Sequence, residues 1–307
     1  MAEFQKRLAA LPEDRRRLVE KLIIARARGS SCANPEPVIA GAPALLSPQK
    51  EECRRFYDEI SQRLDASIFG QFSWFLNFGY VAVDNLSSSV VELSDQRLNR
   101  NSARLVLEVI GDTPLTGRRV LDVGCGRGGT IAVIIEYFDP AAVCGVDLSP
   151  AAIAFCSSTH RHPAVTFEVG DAERLTFRDG AFDVVINVES SSTYPDISAF
   201  YREVDRVLAP RGTFLYTDAM PATRFEECSA YLRRLGWSLE VDRDIGANVL
   251  ASCDDAAANR SRAYGNGGDG TMDDFLGRPG SRFYNEIRQG TWTYRIQRWR
   301  KPAVFAG

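Results

Sequence analysis

Four glycines within six positions, Gly124, Gly126, Gly128 and Gly129, follow the apolar run 119–123 and precede the apolar run 130–137. No other feature constrains the fold as much. The pattern predicts a strand that turns sharply into a helix, because glycine adopts left-handed backbone angles at little steric cost. The alternation then repeats. Strands are expected at 142–146, 165–169, 182–188 and 212–217, and helices at 151–158, opened by Ser149 and Pro150, and at 200–208. This order belongs to an α/β fold with a doubly wound, mostly parallel sheet. Beyond it a helix at 225–235, a strand at 237–243, an irregular region and a last strand at 291–300 are expected.

The ends of the first three strands carry acids. Asp122 stands two residues before Gly124, where it suits a ligand's ammonium group. Asp147 closes the second strand about twenty residues on, where a carboxylate reaches a pair of ribose hydroxyls. Asp171 and Ala172 follow the third strand, with Asp171 placed for an exocyclic amino group. Gly124, Gly126 and Gly129 also satisfy the dinucleotide pattern G-x-G-x-x-G, and glycine and aspartate are common in ordinary turns. Acids at all three strand ends, in order, favour a nucleoside with a cationic amino-acid end over a pyrophosphate.

At 307 residues the chain can bury a large core. A net charge of −3 gives no reason to expect nucleic acid or an anionic membrane as the main partner, and no run reaches membrane-spanning length. Seven cysteines without a C-x-x-C pair, and two histidines, His160 and His162, leave no metal site in view. The default is cytoplasmic, with thiols in a reducing compartment. Residues 1–28 read as a helical appendage whose stripe of Leu18, Leu22 and Ile23 suits a biosynthetic partner protein or self-association. Residues 29–49 read as a linker, 50–115 as a mostly helical cap, and 116–307 as the core, with substrate-binding insertions at 219–290.

In the segments around Asn77–Tyr80, 119–129, 147–156, 169–173, 187–191, 214–218 and 280–284, the chain resembles class I S-adenosylmethionine-dependent methyltransferases. Within them it is similar to the branch of phthiotriol and phenolphthiocerol dimycocerosate methyltransferases and polyketide-tailoring O-methyltransferases. The resemblance implies a Rossmann-like, seven-stranded sheet whose last strand runs antiparallel beside the fifth. It implies S-adenosyl-L-methionine held by Asn77, Tyr80, Asp122, Gly124, Gly126, Gly128, Asp147, Leu148, Asp171, Ala172 and Asn187, with 77–80 closing over it. Residues 1–28 are similar to linker helices beside polyketide and nonribosomal peptide synthetase modules.

The branch reads Glu-Ser-Ser-His after the fourth strand, with the histidine a proton acceptor. This chain reads Glu189, Ser190, Ser191, Ser192. Glu189 is then the expected base, with Tyr194 bonding the acceptor oxygen, Ser192 beside them, and Asn187 orienting the carboxylate. Trp74, Phe75, Phe78, Tyr194, Met220, Phe283 and Tyr284 are expected around a hydrophobic secondary metabolite. The glycine-rich stretch 264–272 reads as a lid or an ordinary surface loop. The function implied is O-methylation in secondary-metabolite, for example antibiotic, biosynthesis. C- or N-methylation, and a repurposed fold that binds the cofactor but catalyses a cyclisation, stay open.

Overall fold

The computed structural model describes residues 46–66, 70–83, 89, 91–94, 97–264 and 270–303. The appendage at 1–28 and most of the linker expected from the sequence lie outside them.

Helix α1, Pro48–Asp65, starts earlier than the linker boundary allowed. The Ser47 side chain accepts from the Lys50 amide, and Pro48 takes a first-turn position where no N–H is needed. The described residues from Ser73 to Asn99 carry no helix, contrary to the mostly helical cap. Gly79 shows one reason. Its φ is +84°, and a Cβ there would lie 2.6 Å from Ser252 Oγ. Helix α2, Arg100–Ile110, then buries Leu105, Val106 and Val109 in the core over the sheet.

The alternating core follows: β1 Arg119–Val123, α3 Gly129–Tyr137, β2 Ala142–Asp147, α4 Pro150–Thr159, β3 Val165–Val169, β4 Phe182–Val188, α5 Ile197–Val207 and β5 Leu208–Pro221. Ser149 caps α4 by accepting from Ala152 N, and Asp196 caps α5 by accepting from Ala199 N. Helix α6, Ala222–Arg234, leads to β6, Ser238–Asp244. The region read as irregular is instead helical: α7 Gly246–Tyr264, α8 Gly270–Phe275 and α9 Arg282–Gln289 precede β7, Trp292–Arg300. Val249 and Cys253, and Phe283 and Ile287, are pairs four residues apart that bury one face of α7 and α9. That burial outweighs the weak helix propensity of the surrounding Gly, Asn and Asp. Of the stretch 264–272, residues 265–269 lie outside the described ones and the rest belongs to α7 and α8.

The strand order is β3-β2-β1-β4-β5-β7-β6, with β7 antiparallel to both β5 and β6. This is the sheet that the sequence implied. β1 and β4 are buried almost throughout, as strands covered by helices on both faces must be. The β6 edge alternates exposed and half-buried. Order reverses between β1 and β4, and a crevice opens at the carboxyl ends of strands at such a switch point. No helix among the described residues is long and apolar enough to cross a membrane.

Candidate active site

The turn after β1 is fitted tightly. Gly124 has φ +72°, and a Cβ there would sit 2.3 Å from Ser190 Oγ. Its amide and that of Cys125 donate to Val146 O, tying the turn to β2. Asp147 Oδ2 accepts from Gly126 N at 2.8 Å and Oδ1 from Ser149 N at 2.9 Å, so the carboxylate braces the turn from the next strand end. Withdrawal from water pushes its pKa up, against these two bonds. After β3, Asp171 Oδ1 accepts from Glu173 N at 3.0 Å, while Lys50 Nζ from α1 lies 2.6 Å from Asp171 Oδ2 and 2.5 Å from Glu173 Oε2.

The end of β4 supplies the polar centre. Glu189 holds φ +54°, a left-handed conformation uncommon for a residue with a side chain. Its own N–H donates to Thr217 O at 2.9 Å. Oε1 accepts from Phe78 N at 3.0 Å and from the Tyr294 hydroxyl; among the described residues Oε2 accepts only the shared Phe78 N–H, at 3.1 Å. Oε1 therefore has both lone pairs engaged, and Oε2 keeps one. Burial pushes this carboxyl up to about 8. Ser192 N and Ser191 Oγ both donate to Asp218 Oδ2, at 2.8 and 2.7 Å, at the end of the neighbouring β5. Burial raises the Asp218 pKa as well. Tyr194 Oη is 2.9 Å from Ser190 Oγ.

One cavity of about 330 Å³, within the range of small-molecule sites, joins these groups. Asn77, Gly124, Gly126, Asp147, Leu148, Asp171, Ala172, Glu189, Ser192 and Tyr194 line it, as do Trp74, Phe75, Phe78 and Phe283. Four expected cofactor residues do not. Tyr80 is 1% exposed in the core, where its hydroxyl accepts from Arg243 Nη2. Gly128 caps α3 behind the turn. Asp122 and Asn187 are buried behind the wall, where Asn187 Nδ2 donates to Val123 O and Ser190 Oγ and bonds neither oxygen of Glu189. Met220 is buried in the core and Tyr284 bonds Asp254, so neither reaches the cavity. Large apolar side chains suit a core as readily as a pocket, and here packing took Tyr80 and Met220.

Sequence reasoning missed the wall supplied by α1, α8 and the start of β7: Lys50, Cys53, Phe56, Tyr57, Phe275 and Trp292, and also Asp218. Lys50 had a signal. It is one of four lysines in a chain with 37 basic residues. The arrangement suits a cationic amino-acid ligand. Asn77 Oδ1, at the wall, and Asp122 Oδ2, behind the turn, are buried acceptors without hydrogen-bond partners. Burial and the Asp147 charge hold Asp122 well above the usual carboxylate range.

A family described as a methyltransferase domain matches residues 121–216. The chain is 36% identical over 231 residues to the fatty-acid O-methyltransferase of Mycolicibacterium smegmatis, covering 75% of this chain and 84% of that protein. It is 39% identical over 176 residues to phthiotriol/phenolphthiotriol dimycocerosates methyltransferase 1 of Mycobacterium ulcerans, covering 57% of this chain and 64% of the relative. Among solved structures the cyclase SpnF aligns with a TM-score of 0.63 at 21% identity, over 86% of this chain and 100% of that one. The geranyl diphosphate C-methyltransferase of Streptomyces coelicolor aligns at 0.61 and 19%, over 84% and 100%. Both share the fold. With the glycine turn, the sheet order and these relatives together, the chain belongs to the class I methyltransferases that use S-adenosylmethionine.

Proposed function

We propose that this enzyme methylates an oxygen of a hydrophobic, polyketide- or peptide-type metabolite. One observation carries the reading: Glu189, whose Oε2 keeps a lone pair, lines an aromatic cavity continuous with the glycine turn. Bound at that turn, S-adenosylmethionine supplies an already activated methyl group. Asn77, Gly124, Gly126, Asp147, Leu148, Asp171 and Ala172 would hold it, with Asp122, Gly128 and Asn187 bracing the turn from behind. The two relatives named above act, by their names, on a fatty acid and on phthiotriol-type lipids, both hydrophobic.

The work left to the chain is orientation, exclusion of water and removal of one proton. Helix α1 and the segment around Phe78 would close over the ligands, since Lys50 and the Phe78 amide tie them to the loops after β3 and β4. Glu189 Oε2 would take the proton of the acceptor hydroxyl while the Phe78 and Tyr294 donors hold the carboxyl still. Ser192 N is committed to Asp218, which keeps the backbone of this loop in place. Tyr194 would bond the acceptor oxygen. Buried free thiols such as Cys144 and Cys156 accord with a reducing, cytoplasmic setting.

The test is incubation with S-adenosylmethionine carrying an isotope-labelled methyl and a library of lipidic alcohols and phenols, followed by mass spectrometry. Labelled methyl ethers with equal S-adenosylhomocysteine support the proposal. Label on carbon or nitrogen, or substrate conversion without S-adenosylhomocysteine, rejects it. The partner surface proposed for residues 1–28 is tested separately, by sizing the full chain and its 1–28 deletion in solution.

A further inference from the structure

The acids and bases around the acceptor side of the cavity are unevenly matched. Two carboxyls face it from adjacent strand ends, the half-buried Glu189 and the buried Asp218. Two cationic side chains line it among the described residues, and both are committed elsewhere. Lys50 bridges Asp171 and Glu173. Arg127 is fully buried and donates to Ser73 O, Ser61 O, Ser61 Oγ, Gly70 O and Asp65 Oδ1. The walls beyond are apolar: Phe56, Phe78, Phe275, Phe283 and Trp292, with Tyr57 among them.

We propose that this chamber selects an uncharged hydroxyl as the methyl acceptor and rejects carboxylate or diphosphate acceptors. The inference rests on the O-methylation reading and narrows it. An anion entering here would leave water without gaining an uncommitted cation, since Arg260, whose charge reaches Glu189, is held by Phe78 O and Leu276 O; above about pH 8 it would also meet the ionised Glu189. A hydroxyl group loses little. It donates to Glu189 Oε2, which keeps a lone pair, while its chain lies against the aromatic wall. The names of similar proteins include a fatty acid and geranyl diphosphate, both anionic, and the chamber of this chain is built against that chemistry.

The experiment pairs 1-decanol with decanoate, two probes of equal chain length that differ in the charge of the head, and adds geranyl diphosphate. Each is titrated by calorimetry into the wild-type protein saturated with S-adenosylhomocysteine, and each is assayed for S-adenosylhomocysteine release from S-adenosylmethionine. Decanol should bind at least about 10-fold more tightly than either anion, with the same preference in kcat/KM. At pH 9, where Glu189 is ionised, Glu189→Gln should narrow the gap by improving decanoate binding. Equal or tighter binding of decanoate overturns the selectivity, whether or not methyl transfer occurs. A decanol preference in binding without turnover of any probe would leave the selectivity standing and remove support for O-methylation.

Discussion

Lys50 Nζ lies 2.6 Å from Asp171 Oδ2, an ion pair that spans 121 positions of sequence and ties α1 to the loop after β3. With its second contact to Glu173 it is the polar latch on that side of the cavity. Lys50→Met removes the charge and keeps most of the stem. A charge-assisted bond of this kind contributes about 1.5–3 kcal/mol when shielded, and less when solvent reaches it. Amides of 48–65 should therefore exchange with deuterium faster in the variant, while those of β1 and β4 stay unchanged. Unaltered exchange in α1 would show that its apolar contacts hold it without the latch.

Asp147 braces Gly126 and Ser149 and is the group proposed to hold the cofactor ribose. Asp147→Ala should weaken both S-adenosylmethionine and S-adenosylhomocysteine by about 10-fold or more, the cost of one lost charged partner. Calorimetry with both ligands measures it, and circular dichroism of the apo variant checks that the fold is intact. Affinity within about twofold of wild type, from an intact protein, would remove Asp147 from the site.

Glu189 carries the pH dependence. Its carboxyl is raised to about 8, so it stays protonated at neutral pH and becomes a base as pH rises through that value. kcat/KM for an alcohol acceptor should climb between pH 6 and 8 and level off above. Glu189→Gln keeps the shape, should lose about 10²-fold in turnover, and should show a flat profile over the same range. The same shift acts on stability. The folded state keeps a proton that the unfolded chain gives up near the ordinary 4.5. The contribution of this carboxyl is therefore full below about 4.5 and is lost as pH rises towards 8. A rate profile identical in wild type and variant would assign the proton to another group.

Arg127 is the centre of the contact between the glycine turn and α1. It is 0% exposed, with its guanidinium 3.5 Å from the Phe155 ring centroid and donating to three backbone carbonyls. Arg127→Met fills much of the space but leaves Ser73 O, Ser61 O and Gly70 O without this donor. Unfolding in urea should show a loss of more than about 2 kcal/mol. A change below about 0.5 kcal/mol, the range of ordinary surface substitutions, would show that water or rearrangement satisfies those carbonyls.

Sequence by itself determined the parts of this protein that are local. A five-residue strand carrying Val120, Leu121 and Val123 before Gly124, Ser149 with Pro150 at a helix start, and acids at 147 and 171 report their own structure, because strand period, capping and left-handed turns act over a few residues. Tertiary structure decided what those parts face. Tyr80 is aromatic like Phe78 and Phe283 and is buried in the same cluster as Phe283, yet it lies off the cavity while those two stack at 4.0 Å on its wall. Tyr294 meets Glu189 across 105 positions, since β7 inserts between β5 and β6 and brings its first residues to the β4 end. The commitment of Lys50 and Arg127, and with it the anion-averse chamber, has the same origin. These pairings are set by strand order and by how helices pack on the sheet, and spacing along the chain carries no record of either.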